Sequence, residues 1–386
     1  MRRITLMSFA AAALVLAVAL PRGITAARPS ASPLADMTGG SAHLMSAGSL
    51  AFGPDGVLFV GDSIGGSVVA LDTNDRTAAA TAPKVDVQGV DEKIAALVGV
   101  AAGQIMINDM AVNPISKNIY LSASRGRGPD ALPLIIRVDA SGKLTNVSLD
   151  NVKHDTVSLT DVPDANPTAR GGNPRTLTIT DMAYVNGNLM VAGMSNEEWS
   201  SALRSIPYPF KTAGKGTQLQ IWHASHGQYE TQSPVRTFVP YTMAGQQYVL
   251  AAYTCTPLVK IPVSDLKPGA QVKGVTIADL GSGNQPLDMV PYKKDGHEYI
   301  LIANTSFGVV KLHADTLGTD KAIVSPTVVD VAGAPYDKLT TLKDVQHLTQ
   351  LDATNALILT AKPGAGPAWA PGPPSGPMNL QSIALP

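Results

Sequence analysis

One cysteine, Cys255, stands among 386 residues. No disulfide can form within the chain, so packing and hydrogen bonding alone must hold the fold. Charge is scarce as well: Asp, Glu, Lys and Arg make up 15% of the residues and nearly cancel, leaving −1. Proteins that track nucleic acid or an anionic membrane need a basic surplus, and none exists here. The chain has no His-Glu-x-x-His, no Gly-x-Ser-x-Gly elbow and no phosphate-binding loop, which argues against the zinc-peptidase, α/β-hydrolase and nucleotide-dependent classes that use them. Beyond residue 27 no stretch is long and apolar enough to span a membrane.

The N-terminus reads as an export signal. Arg2 and Arg3 give a positive start, Ile4 to Leu20 an apolar run, and Thr25-Ala26-Ala27 the small residues a signal peptidase needs. The expected organisation is a signal peptide over 1–27, a disordered linker over 28–39 and one domain over 40–386. The expected location is the bacterial periplasm or outside the cell, with no membrane span after cleavage.

What the mature chain does have is turns and short apolar runs. It carries 35 Gly and 29 Pro, which suits many tight connections. Five pairs of strand-like runs recur: Val57–Val60 with Val68–Asp72, Ile119–Ser122 with Leu134–Asp139, Leu189–Ala192 with Leu219–His223, Tyr248–Ala252 with Leu258–Pro262, and Tyr299–Ala303 with Val309–His313. Hairpin signals such as Gly53-Pro54-Asp55-Gly56, Asn186-Gly187-Asn188 and Lys294-Asp295-Gly296 precede the first run of several pairs. Six innermost strands are expected to start near Ser49, Asn108, Thr180, Arg236, Leu287 and Lys343. This pattern predicts an all-β fold: a single six-bladed β-propeller of four-stranded antiparallel blades, A innermost to D outermost, with long loop insertions. The C-terminal run Leu380–Leu385 reads as a third strand, and the segment around Ala42–Met45 is expected to supply that blade's outer strand and close the ring.

Four segments break the repeat. Asp91–Val98 has an acidic start and helical propensity. Residues 150–175 read as a long polar excursion. Residues 195–216 interrupt the B–C turn of blade three and are expected to fold over the channel mouth as a partial lid carrying Trp199 and Phe210. Residues 363–377, rich in Pro and Gly, form the last B–C connection.

In a propeller the D–A and B–C connections share one face, so residues far apart in sequence converge there. At the A-strand starts Asn108-Asp109-Met110, Thr180-Asp181-Met182, Leu287-Asp288-Met289 and Lys343-Asp344-Val345 repeat an Asp. Clustered carboxylates raise one another's pKa unless a cation or donors compensate, and oxygen-rich surroundings suit Ca²⁺ or another hard divalent cation. The alternative is that each Asp caps backbone N–H groups in its own turn. The B-strand ends add Arg125, Asn196, Cys255 and Asn304 as candidate ligand-binding residues. His223, His226 and Glu230 form a compact metal-like cluster, expected at a C–D turn on the opposite face. With three Trp in the chain, the Trp-rich blade docking of quinone-dependent propeller dehydrogenases is missing, and no nucleotide or quinone cofactor is indicated.

The phrase Leu50-Ala51-Phe52-Gly53-Pro54-Asp55-Gly56-Val57-Leu58-Phe59-Val60-Gly61-Asp62 resembles secreted bacterial propellers of the NHL-repeat and gluconolactonase-like (senescence-marker-protein) kinds. The resemblance implies a propeller fold and, for the lactonases, one divalent cation at the channel mouth held by a Glu, Asn residues and an Asp. No Glu occupies a matching strand start here. Two functions are therefore expected in parallel. One is an exported binding or scaffold propeller that holds a small molecule or protein partner on its channel-mouth face. The other is a cation-dependent hydrolase of the lactonase kind.

Overall fold

The computed structural model describes residues 32–166, 173–255, 257–326, 331–367 and 372–386. The expected signal peptide, and residues 28–31 of the expected linker, lie outside them. Six small sheets form a six-bladed β-propeller. Three blades keep four strands; the others are extended by short edge strands to five or six.

Blade 1 has strands A to C at Leu50–Phe52, Val57–Asp62 and Ser67–Asp72. Blade 2 runs through Ile105–Val112, Ile119–Arg125, Leu132–Val138 and Leu144–Asn146. Blade 3 uses Asp181–Val185, Asn188–Met194, Ser201–Pro207 and Thr217–His223. Blade 4 uses Val235–Met243, Gln246–Tyr253, Pro257–Pro262 and Val275–Asp279. Blade 5 uses Pro286–Lys294, His297–Asn304, Gly308–His313 and Tyr336–Leu339. Blade 6 has strands A to C at Val345–Gln350, Asn355–Lys362 and Ser375–Ala384.

The blades are not arranged in chain order. Apolar side chains of blade 2 share one core with blade 6 and another with blade 1, while blade 1 shares its second core with blade 3. Further cores join blades 3 to 4, 4 to 5 and 5 to 6. Around the ring the order is therefore 2, 1, 3, 4, 5, 6.

The outer strands follow from this. Asp86–Val87, which precedes blade 2, pairs with Ser375–Ala384 as the fourth strand of blade 6. Val152–Ser158, which follows blade 2, pairs with Ser67–Asp72 as the fourth strand of blade 1. The expected closure by Ala42–Met45 is thus corrected: Asp86–Val87 closes blade 6, while Thr38–Gly40 adds a fifth strand to blade 1. Residues placed in the linker are therefore partly built into a sheet. The Tyr208 hydroxyl donates to the Pro33 carbonyl oxygen at 2.6 Å. The local signals were ordinary strand and turn signals, and they carry no information about which sheet each outer strand joins.

The α-helix expected at Asp91–Val98 forms at Val90–Val98, just before blade 2. Its N-terminal Asp91 accepts the Met378 N–H at 2.8 Å and so ties it to blade 6.

The lid is corrected too. Within 195–216 the chain makes the third strand of blade 3, Ser201–Pro207, paired along Asn188–Met194. Phe210 is buried in the core between blades 1 and 3, with ring centroids 5.7 Å from Phe59 and 5.0 Å from Tyr208. Burying three aromatic rings there outweighs leaving them over a polar mouth, since each contributes roughly 2–3 kcal/mol when removed from water. Nearby, Arg204 and Asp161 form an ion pair at 2.8 Å with both side chains fully buried. Arg204 also donates to the carbonyls of Thr178 and Met194, which leaves neither charge uncompensated.

Candidate functional site

The innermost strands run with their starts at the channel mouth, and four of them carry a bulge there. Register shifts fall at Ile107/Asp109, Val235/Thr237, Pro286/Asp288 and Val345/His347. A bulge leaves one extra residue unpaired and re-aims its neighbours. The residues that follow these bulges, together with Ser49 and Asp181, occupy one level of the channel.

In ring order that level reads Asp109, Ser49, Asp181, Thr237, Asp288, His347, with an acid at every second position. Each Asp is a staple to the next blade. Asp109 accepts N–H bonds from Met110 of its own strand and Leu50 of blade 1, both at 2.6 Å. Asp181 accepts from Met182 and from Phe238 of blade 4, both at 2.7 Å. Asp288 accepts from Leu348 of blade 6 at 2.8 Å. Alternation keeps like charges from sitting on adjacent blades, and it gives each blade pair one carboxylate.

His347 lies between two of the acids. Its Nδ1 is 3.4 Å from Asp288 Oδ2 and 3.9 Å from Asp109 Oδ1. Neither contact has hydrogen-bond geometry, so Nδ1 remains buried and unpaired. The charge still registers: burial would lower the imidazole pKa, but Asp288 and then Asp109 raise it overall. Burial, reinforced by Asp288, pushes Asp109 up to about 7 against the pull of His347 and its two N–H donors. Burial and the Asp109 charge hold Asp181 well above the usual carboxylate range.

These groups line a cavity of about 130 Å³ together with Asn108, Thr180, Arg236 and Leu287. That is room for an ion with several waters, since a buried water occupies on the order of 10–15 Å³ by this measure. Ser49 is 6% exposed, and its hydroxyl has no hydrogen-bond partner. Asp109, Asp288 and His347 bring ligand atoms within 4.8 Å of one another, two carboxylates and an imidazole that suit a divalent cation, with Asp181 and Ser49 lining the same cavity.

Three of the four expected Asp residues meet here. Asp344 does not: it is an exposed turn residue with φ of 58°, three positions ahead of the channel residue of its blade. His347 takes that place. Alignment on the Lys-Asp-Val triplet misled because the apolar residue that receives the staple is Leu348, not Val345. The repeat of an apolar residue after the channel position, as in Asp109-Met110 and His347-Leu348, was the available signal.

The four expected ligand residues lie elsewhere. Arg125 lines a separate cleft with His43, Leu97 and Leu132. Asn196 is exposed in the B–C connection of blade 3, its N–H bonded to the Asp161 carbonyl. Asn304 is buried, and its amide is used within blade 5, accepting from Asn284 and donating to Ile302.

Cys255 lies in the turn two residues beyond the second strand of blade 4, and there it meets His223 and His226. That placement overturns the assignment of the His cluster to the opposite face. Thr217–His223 is the fourth strand of blade 3 rather than the third, so it runs toward the channel-mouth face and the hairpin after it lies on that side.

No family model matches the chain, and no curated protein matches it. Three solved structures are among those similar to this chain. The extracellular domain of a one-component system from B. thetaiotaomicron is 11% identical, with TM-score 0.32 over 89% of this chain and 39% of that one. An oxidoreductase (glucose dehydrogenase) from Thermus thermophilus is 11% identical, with TM-score 0.31 over 90% of this chain and 100% of that one. A PQQ-bound aldose sugar dehydrogenase from Streptomyces coelicolor is 9% identical, with TM-score 0.30 over 90% and 98%. This chain spans about two-fifths of the first of these. At such scores the likenesses carry no argument about activity.

Proposed function

We propose that this chain is an exported binding propeller whose channel mouth holds one hard divalent cation, through which a ligand or partner docks on that face. One observation carries the reading. Asp109, Asp181 and Asp288, contributed by three alternate blades, converge on a single cavity beside the unpaired Ser49 hydroxyl. Backbone N–H groups fix the carboxylates in place, so a cation meets preorganised oxygens and the ring gains a clamp between blade pairs. Export is supported by the Arg2-Arg3 start and apolar run of the N-terminus.

The test is metal analysis and calorimetry on chelator-stripped protein titrated with Ca²⁺ and then Mn²⁺. One cation per chain is expected, with at least tenfold weaker binding in Asp288→Asn. A stripped wild-type protein that takes up neither ion overturns the reading. The second reading, a cation-dependent hydrolase of the lactonase kind, draws on His347 and Asp288, an imidazole–carboxylate pair at 3.4 Å beside the same cavity. Such a pair can hold and move a proton. Lactone hydrolysis by the cation-loaded protein, abolished in His347→Gln with cation binding retained, would place this reading first.

A further inference from the structure

We infer that His223, His226 and Cys255 form a second metal site on the channel-mouth face, outside the central ring, built for a borderline-soft divalent ion such as Zn²⁺. Each of the three offers a ligand atom, and those atoms lie within 4.8 Å of one another. A tetrahedral zinc site with these ligands needs separations of roughly 3.3–3.8 Å, from bond lengths near 2.0–2.3 Å.

The feature that singles out this cluster is Glu230. His223 Nδ1 pairs with Glu230 Oε2 at 2.8 Å, and His226 Nδ1 pairs with Oε1 of the same carboxylate at 2.6 Å. One acid thus holds both rings, with centroids 3.8 Å apart. Ser233 fixes the acid in turn through a 2.5 Å hydrogen bond. Metal-binding histidines are commonly oriented in this way, with one nitrogen donated to a carboxylate and the other presented to the ion. His223 Nε2 is buried and lacks any partner with hydrogen-bond geometry, in a residue only 2% exposed. An orphaned buried nitrogen aimed at a thiol is costly unless something binds it.

Cys255 completes the set. It adopts φ of 61°, a conformation uncommon for a residue with a side chain, and its own N–H is anchored on the Asn284 carbonyl at 2.7 Å. The neighbouring imidazole, with help from the Gly283 N–H, lowers the thiol pKa against the effect of burial. Binding would release the thiol proton and leave two neutral imidazoles on the ion. His226 is 44% exposed at its side chain, so a fourth position opens to solvent for water or a ligand.

The donor set separates this site from the channel. Nitrogen and sulfur select zinc or cobalt, whereas the channel offers mainly oxygens. The experiment is titration of metal-stripped full-length protein with Co²⁺, read by absorption. The expected spectrum has a near-ultraviolet thiolate-to-cobalt band and strong visible bands of a four-coordinate ion, bleached by one equivalent of Zn²⁺. Cys255→Ser should remove the thiolate band, and Glu230→Gln should weaken binding roughly 10–100-fold. Asp181→Asn should leave the spectrum unchanged. A weak six-coordinate spectrum, or a thiolate band that survives in Cys255→Ser, overturns the inference. A second readout uses the unaltered protein: Cys255 is the chain's one cysteine, so Zn²⁺ should slow its alkylation by iodoacetamide at least tenfold. An unchanged rate would likewise overturn the inference.

Discussion

The channel ring and the His223–His226–Cys255 cluster use carboxylates in opposite ways. In the ring, Asp109 and Asp181 spend both oxygens on backbone N–H groups, so each acid is a structural staple between blades. In the rim cluster, Glu230 spends its oxygens on two imidazoles and leaves the nitrogen and sulfur donors free. Removing a ring acid should therefore cost the fold. Removing the rim acid should cost binding and leave the fold nearly intact.

The largest expected effect is on stability. Asp109→Ala strips the partner from two backbone N–H groups at a blade junction, at a cost of about 2–4 kcal/mol. Denaturant unfolding at pH 7 measures it, and a loss below about 1 kcal/mol would erase the contrast with the rim.

The next effect is on pH dependence in chelator-treated protein. Asp109 has a folded pKa near 7, raised above its usual 3.8 by burial and Asp288. A raised acid favours the fold fully below the unfolded pKa, and that contribution is lost as pH rises through the folded value. Melting temperature should therefore fall between about pH 4 and 7, and Ca²⁺ at pH 8 should restore it. A melting temperature that holds constant or climbs over that range contradicts the burial described for this acid.

A smaller effect belongs to the rim. Glu230→Gln should shift unfolding by about 1 kcal/mol or less while weakening Co²⁺ binding, whereas the ring variants should do the reverse. Unfolding curves and cobalt titrations on the same samples decide it. The smallest effect is that of Asp344→Asn, at an exposed turn residue in the same sequence motif as the ring acids, where Asn tolerates the φ of 58°. It should change stability by less than about 0.5 kcal/mol and leave cation binding as in the wild type.

The six-bladed fold was legible because strand alternation and hairpin turns are local. Asn186-Gly187 and Lys294-Asp295-Gly296 signal their hairpins wherever the strands end up. Three ring acids were legible for the same reason, since Asp-Met recurs at three strand starts. His347 was not, because its blade replaces the acid and shifts the motif by three residues. One strand hides the meeting of Cys255 with His223: Ser201–Pro207 carries Arg204 and two Ser among its apolar residues, so it does not read as a strand, and without it the hairpin after His223 falls on the opposite face. Nor could any local signal show that Asp86–Val87 pairs nearly three hundred residues downstream.

That pairing makes blade 2 a keystone. It sits between blades 6 and 1, and the segments leading into and out of it are the outer strands of those same two neighbours. Most closed rings built from one chain have a single seam where first and last strands meet. Here a wedge of some seventy residues, from Asp86 to Ser158, is driven into the seam and hooked to both sides of it. Withdrawing the wedge strips an edge from each neighbour at once, so the gap cannot open on one side alone. The ring is locked on both flanks of this wedge, with the strand Ser375–Ala384 gripped on one side and Ser67–Asp72 on the other.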